Sequence, residues 1–564
     1  MSVYTEEYLK EKLTKELDAV HVVSIGCQNA LLPGIFVALL VRWCVASYPY
    51  SGYQKPPMYG DYEAQRHWQE ITLHTPSDTW YKNTSRNDLQ YWGLDYPPLT
   101  AYHSLLMGLV ADWLYPESVR LFASRGYETE SHKMFMRWTV FLSDLYFFVT
   151  SRTDIATTLF LLYPGIILID HGHFQYNCVS LGLFLWSTFF LIGIEMDILC
   201  TILFVLALNY KQMELYHALP FFFYLLRTCF FFIKLGITVV TTFILIWYPI
   251  SSSIEYVFQI IHRLFPLMRG VFEDKVSNIW CSVNIFIKLK TVYTNEEMVS
   301  MCFLTTMMSA MISCLDLFFR FNKRKFVLSC INVSLAFFLF SYQVHEKSIL
   351  LVAIPVALHF PEDPFMCFWF LIVSTFSMLP LLLKDGLMIP FICTSLVYTG
   401  FYSIALQLAV PSSGILSFFN AKTVYKAVNI NYNSIYLKFL STIFFFSLQG
   451  MFWLALGTSF VKPPERYPDL FPVLMSLFSC AHFVFFFVYF NYSQLSLPTC
   501  LPVEVVDESD GCGGKFSVLV VSDKFQGKPP LARHRLVNSV LQEELKSIHA
   551  FSQKTLTVDQ WKSQ

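Results

Sequence analysis

Long apolar runs alternate with short polar breaks over most of the chain. The first runs from near Val20 to about Ala46, and others follow at 134–150, 155–170, 176–195, 196–208, 215–233, 235–250 and 298–319. Further runs lie at 326–342, 348–361, 365–383, 387–410, 436–458 and 470–490. A helix crossing a bilayer needs about 20 mostly apolar residues. The pattern predicts an all-α polytopic membrane protein with about 12–14 spans, the short 196–208 run being the weakest. Residues 1–19 are polar and mixed in charge, with no cleavable signal peptide, and are expected to be a cytosolic segment. Two polar stretches interrupt the rhythm, 47–133 and 251–297. Within the first, 99–115 is moderately apolar but carries His103, Asp112 and Trp113, which predicts an interfacial helix lying along the membrane. The second is long enough for helices of its own. A polar tail, 493–564, has no spanning segment and contains Gly511, Gly513, Gly514 and Pro529-Pro530.

Composition narrows the class. Of 564 residues, 55% are hydrophobic and 14% charged, against about 25% charged in an ordinary soluble protein. That excludes a soluble multidomain protein, a disordered chain and a coiled coil. The 56 Phe and 31 Tyr suit lipid-facing helices and interface belts. A net charge of -1 gives no basic surface for nucleic acid. The 14 Cys fall mostly within apolar runs without a CxxC pair, so they are expected to be core thiols.

Arg320, Lys323, Arg324 and Lys325 crowd one short loop, which the positive-inside rule places in the cytosol. Counting helices outward puts 47–133, 171–177, 209–217, 251–297 and 343–347 together on the opposite face. Those are the five places where unusual polar residues cluster.

Six motifs there could carry chemistry. Gly60-Asp61-Tyr62-Glu63-Ala64-Gln65-Arg66-His67-Trp68 sets two carboxylates at the membrane edge. Low dielectric can raise such a carboxyl toward a general base's range. Equally, the acids could serve a helix macrodipole. Tyr91-Trp92-Gly93-Leu94-Asp95-Tyr96-Pro97-Pro98-Leu99-Thr100 suits a sugar, with rings for pyranose faces and an acid for hydroxyls; an aromatic belt with a capping Asp is the plainer account. Asp170-His171-Gly172-His173-Phe174-Gln175-Tyr176-Asn177 keeps costly polar groups at membrane depth. Its His-x-His spacing departs from the i, i+4 pair of helical zinc sites, so hydrogen bonding is favoured over a metal. The others are Asn209-Tyr210-Lys211-Gln212-Met213-Glu214-Leu215-Tyr216-His217, the stretch from Arg263 through Arg269 to Val276, and Gln343-Val344-His345-Glu346-Lys347. The last could hold a phosphate or form an internal Lys–Glu pair. No Gly-rich phosphate loop or Ser/His/Asp set occurs.

Jointly these motifs resemble the dolichyl-phosphate-glucose-dependent α-1,3-glucosyltransferases of the endoplasmic reticulum, within the GT-C superfamily. The likeness rests on the 60–68 motif, on Gly93 to Ser104, on 170–177, 209–217 and 269–281, and on His345-Glu346-Lys347-Ser348-Ile349-Leu350-Leu351. It covers 20–492 and is closest to the branch that adds the first glucose. The sister branch, which adds the second, departs from Glu63-Ala64-Gln65-Arg66-His67 and Leu99-Thr100-Ala101-Tyr102-His103.

The resemblance implies a GT-C helical fold in the endoplasmic reticulum membrane with a lumenal active site. It implies inverting transfer of glucose from dolichyl-phosphate glucose to the nine-mannose dolichyl-pyrophosphate oligosaccharide, without cofactor or metal. Asp61 maps onto the family's base. His345 leads as the donor-phosphate contact, with Lys347 and Arg269 behind it; Glu63, Asp95, Tyr96, Gln175 and Lys211 are substrate-binding candidates. Asn83-Thr84-Ser85 is a glycosylation sequon in the same loop as Asp61. A transporter using intramembrane acids and His as a relay is the distant alternative, against which no inverted repeat is visible. Three regions depart from the family: Tyr146–Thr157 and the joint after Leu226 are shortened, and the 493–564 tail has no recognised counterpart, as an alternative last exon would produce.

Overall fold

The computed structural model describes residues 28–148, 155–228, 232–265, 275–428, 433–497, 503–507, 515–542, 544–546 and 548–562. The chain divides into two compact units, 24–497 forming one, and 1–23 with 498–564 the other. Expectations for 1–19, for the centre of the shortened 146–157 region and for Arg269 lie outside the described residues.

The larger unit is helical throughout. Among the described residues, six helices are long and apolar enough to cross a membrane: Asn177–Ile194, Asn295–Phe319, Pro364–Lys384, Met388–Ala409, Ser434–Phe460 and Leu470–Ser496. Three shorter apolar helices, Pro33–Ala46, Asp197–Tyr210 and Phe232–Trp247, join them. Every apolar run of the sequence contains helix, but several pieces are too short to cross alone. Ile349–His359 has 11 residues, about 16 Å at 1.5 Å per residue. Its side chains are almost all buried, so it is a core helix sheathed by others. The 155–170 run is broken. Ile155–Leu161 ends before Tyr163-Pro164, and the chain then winds into a π-helical stretch, Ile167–Phe174.

The core is aromatic. Trp369 is fully buried, with Phe444 at 5.5 Å and Phe486 at 5.5 Å between ring centroids. With no water to flee inside a bilayer, such interdigitation supplies much of the attraction between helices.

The polar stretches fold as extra helices. The 47–133 stretch holds Asp61–His74 and Pro98–Leu114; the 251–297 stretch holds Ile254–Leu264, Ile279–Phe286 and Leu289–Val292. Pro98–Leu114 exposes Leu106, Leu109 and Trp113 along one side, as a helix resting on lipid would.

The two polar ends of the bundle are distinct. Helix Asn177–Thr188 and its π-helical extension run from Asn177 to Glu195, whose carboxylate pairs with Lys323 of the basic turn. Arg324 approaches Glu362 there at 3.9 Å. Helix Lys323–Phe340 then returns to the end where Asn177 begins and where Gln343 to Lys347 follow. The basic turn and the motif-bearing segments thus occupy opposite ends of the same helices.

The tail is not merely polar. Three strands, β1 (Val503–Asp507), β2 (Lys515–Val521) and β3 (Ala550–Leu556), form a sheet in that order. β2 runs antiparallel to β1 and parallel to β3. The helix Pro530–Val540 lies in the β2–β3 crossover, as a parallel pair requires. Phe516, Val518 and Val520 alternate inward and pack with Val505, Phe525, Val537 and Leu541 in a small core.

Candidate active site

A cavity of about 370 Å³ lies at the motif-bearing end. Asp61, Asp95, Tyr96, Gln175, Lys211, His345 and Lys347 all line it. Seven of the residues singled out in the sequence therefore meet, although nearly 290 positions separate the first from the last.

Asp61 opens the helix Asp61–His74. Its entry depends on Gly60, whose φ of +82° is one that residues with a Cβ rarely adopt. A Cβ there would also lie 2.8 Å from the backbone of Ser51 and Gly52. The Asp61 carboxylate receives three contacts on one oxygen, Oδ2. Lys347 Nζ donates at 2.6 Å, Gln175 Nε2 at 2.6 Å and His173 Nε2 lies at 3.0 Å. Among the described residues Oδ1 has no hydrogen-bond partner. Burial pushes the carboxyl up, but Lys347 and His173 outweigh it and hold it well below the usual carboxylate range. The raised pKa that low dielectric alone suggests is therefore corrected: the cations favour the ionised form.

The π-helical stretch distributes the third motif in three directions. Asp170 turns back to the next helix, accepting from Asn177 Nδ2 at 2.7 Å and from the Cys178 backbone N–H at 2.7 Å. His171 points the other way, 2.9 Å from Asp144, which also pairs with Arg42. His173 lies behind the cavity lining, its Nδ1 2.5 Å from Asp385 and its Nε2 3.0 Å from Asp61. Gln175 and Asn177 also meet Lys211, which is brought down to about 8 by burial and by Lys347.

The wall opposite is aromatic. Trp68 and Tyr96 have ring centroids 5.1 Å apart, and Trp68 Nε1 donates to the Trp92 carbonyl at 2.8 Å. Lys211 Nζ sits 5.3 Å above Tyr96. Arg263 Nε donates to the Leu94 carbonyl at 2.5 Å, tying the second polar stretch to the 91–100 motif. Leu181, Met213, Leu264, Leu350 and Leu351 complete an apolar side. His345 is exposed at this cavity. Trp92 and Gln343, which line it, and Phe174 beside it all have positive φ (45°, 55° and 87°). Strained backbone of this kind gathers at working sites.

Glu63 does not belong to this cavity. It is 2% exposed and paired with Arg66, Nε to Oε2 at 2.8 Å and Nη2 to Oε1 at 2.7 Å. Arg66 also donates to Glu70 at 2.8 Å and to the Ser118 carbonyl at 2.9 Å. Two residues along a helix is about 200° of rotation, so Asp61 and Glu63 cannot face one cavity. Glu63 is a structural partner of Arg66. Asn83 sits on an exposed loop, its Oδ1 accepting from the Leu89 N–H at 3.4 Å.

Sequence reasoning passed over Asp385, Trp68, Trp92 and Gln343 as individual site residues. Asp385 had a signal: an acid closing an apolar run is costly at membrane depth.

The family model of the ALG6, ALG8 glycosyltransferases matches residues 38–489. The chain belongs to that family. Relatives named dolichyl pyrophosphate Man9GlcNAc2 alpha-1,3-glucosyltransferase are 48% identical over 488 residues in Gallus gallus and 47% over 485 in Rattus norvegicus. Each alignment covers 81% of this chain and 95% of the relative. A relative in Dictyostelium discoideum, "probable" by its name, is 43% identical, covering 81% of this chain and 93% of its own length. The chain is thus a glycosyltransferase of the glucosyltransferase type its motifs resemble. A second family model, BolA-like protein, matches 502–560, the tail that the sequence reading left without a counterpart.

The Arg66 cluster yields a test outside the cavity. Arg66→Met leaves Glu63 and Glu70 buried without their cation, which is expected to cost about 3–5 kcal/mol. A lowered thermal unfolding midpoint in detergent checks it; an unchanged midpoint denies the cluster its structural role.

Proposed function

We propose that this glycosyltransferase moves glucose from dolichyl-phosphate glucose to the terminal mannose of a nine-mannose dolichyl-pyrophosphate oligosaccharide, in α-1,3 linkage. The observation that carries this reading is the joining in one cavity of an ionised carboxylate, cationic groups and an aromatic wall. The donor is β-linked and the product α-linked, so the anomeric centre inverts in one displacement. The acceptor oxygen bonds to the anomeric carbon as the bond to phosphate oxygen breaks. Dolichyl phosphate leaves with the electron pair, and the hydroxyl proton passes to Asp61.

Asp61 suits that role through Oδ1, the oxygen its neighbours leave uncovered. The two cations on Oδ2 weaken it as a base at rest. A donor phosphate competes for Lys347, and its arrival returns basicity to Asp61 when it is needed. His345 and Lys347 offset the leaving group's charge, with Arg269 a further candidate. Asp95, Tyr96, Gln175 and Lys211 are placed to contact sugar hydroxyls and faces. The reading puts the cavity in the lumen of the endoplasmic reticulum, opposite the basic turn, with lipid beside it for the polyprenyl chains.

Glucose incorporation by purified protein with acceptors bearing zero or one glucose tests the assignment. Preference for the one-glucose acceptor would move it to the sister activity. Asp61→Asn keeps the shape but cannot take the proton, so transfer is expected to fall by at least about a hundredfold with the thermal midpoint retained. Near-normal turnover would remove Asp61 as base. His345→Ala is expected to raise the KM for donor more than for acceptor; the opposite order would move His345 off the phosphate.

Topology has its own test. A glycan is expected at Asn83, on the cavity's side, and none at Asn491, which lies in the helix Leu470–Ser496 near the opposite end. A glycosidase-sensitive shift that persists in Asn83→Gln and vanishes in Asn491→Gln would reverse the orientation.

A further inference from the structure

The residues behind the base form a chain of their own. His173 is 3% exposed at its side chain and lies between two carboxylates. Nδ1 is 2.5 Å from Asp385 Oδ2, and Nε2 is 3.0 Å from Asp61 Oδ2. An ionised carboxylate only accepts hydrogen bonds, so both contacts are satisfied when both ring nitrogens carry protons. Lys347 Nζ, 3.2 Å from the same Nε2, then shares Oδ2 with the imidazolium instead of bonding to it.

Asp385 is held in place independently of His173. It ends the helix Leu379–Lys384, and the next residue, Gly386, has φ +74°. The Gly386 N–H bonds to the Leu383 carbonyl at 3.2 Å and the Leu387 N–H to the Leu382 carbonyl at 2.9 Å. That is a Schellman closure, a rigid one that needs glycine at its left-handed position. The Arg137 guanidinium adds a second support. It is 1% exposed, donates to the Gly172 carbonyl at 2.9 Å, and lies near enough to Asp385 for the two charges to interact. Asp385 is thus fixed at the backbone, with its side chain 6% exposed and turned to His173.

We propose that Asp385 is a positioning residue for glucosyl transfer: through His173 it fixes Oδ2 of Asp61 and so aims Oδ1 at the acceptor hydroxyl. This rests on the reading of Asp61 as the base. Asp385 touches no reacting atom. It sets the ring's orientation and keeps it doubly protonated, and the ring sets the carboxylate. Three donors on Oδ2 stop Asp61 from rotating about its terminal bond, which would exchange the two oxygens. Lys347 is drawn away when it engages a phosphate, and His173 and Gln175 then hold the carboxylate alone.

The pair is tested with Asp385→Asn in the full-length protein in detergent, with donor and acceptor titrated separately. The amide retains the shape and can still accept from Nδ1, but lacks the charge. The expected result is a kcat lower by at least about tenfold, with both KM values and the thermal midpoint unchanged. The acid limb of the kcat profile should also move to higher pH. Loss of the carboxylate weakens the imidazolium's hold on its proton, and Asp61, facing Lys347 and a less charged ring, is less strongly kept ionised. A merely structural Asp385 would lower the midpoint and leave the pH profile where it was. If Asp385→Asn does not fold, His173→Gln, whose amide can still bond to Asp61, is put through the same measurements. Unchanged kcat and pH profile in a folded variant overturn the proposal while Asp61→Asn remains inactive. An active Asp61→Asn overturns the reading of the base, and this proposal with it.

Discussion

Four ionisable side chains from four distant segments meet at one end of the helical body. Asp61 comes from the first polar stretch, His173 from a π-helical stretch, Lys347 from the start of a core helix and Asp385 from the end of a long apolar one. Beside lipid, each would be expensive alone. Together they are satisfied, and the need to satisfy them fixes how four parts of the backbone meet. Two formal anions face two cations, so the cluster is neutral as a whole. It is nonetheless polarised toward the cavity, where one carboxylate oxygen is left uncovered. Other buried polar groups, such as Arg66 with Glu63 and Glu70, or Arg42 with Asp144 and His171, brace the elements that carry these four.

Much of this was visible along the chain because membrane chemistry makes polar residues conspicuous. Against an apolar background, 60–68, 91–100, 170–177, 209–217 and 343–347 stood out, and parity of the helix count put them on one face. Direction within each motif was less legible. Asp61 and Glu63 are indistinguishable by composition, yet a helix turns one to the cavity and the other to Arg66. His171 and His173 look like a pair, but the π-helical winding sends them to different partners. The Asp61 carboxyl was expected to rise in low dielectric; its cations come from residues more than 100 positions away, and no local reading could weigh them. Asp385 was conspicuous as an acid closing an apolar run, but its role lies in His173, 212 residues earlier.

The tail shows a different limit. Phe516, Val518 and Val520 alternate as strand residues do, and Pro529-Pro530 marks a helix start. Next to a body dominated by apolar membrane helices, this ordinary amphipathic pattern reads as merely polar. It is the scale of comparison that hides it. A small soluble-type core of seven buried apolar residues follows a body built by different rules.

The π-helical stretch from Ile167 to Phe174 has a consequence for how this chain tolerates change in length. A π turn accommodates one more residue than an α turn closing over the same distance. Removing any single residue from it would let the stretch relax into a regular helix. Side chains inside the stretch would then be re-aimed, each residue advancing by about 100° as in a regular helix, while those beyond it keep their register. His173, inside the stretch, would lose its aim at Asp61 and Asp385 although its identity had not been altered. In this part of the protein it is the residue count, as much as the residue identities, that the chemistry must preserve.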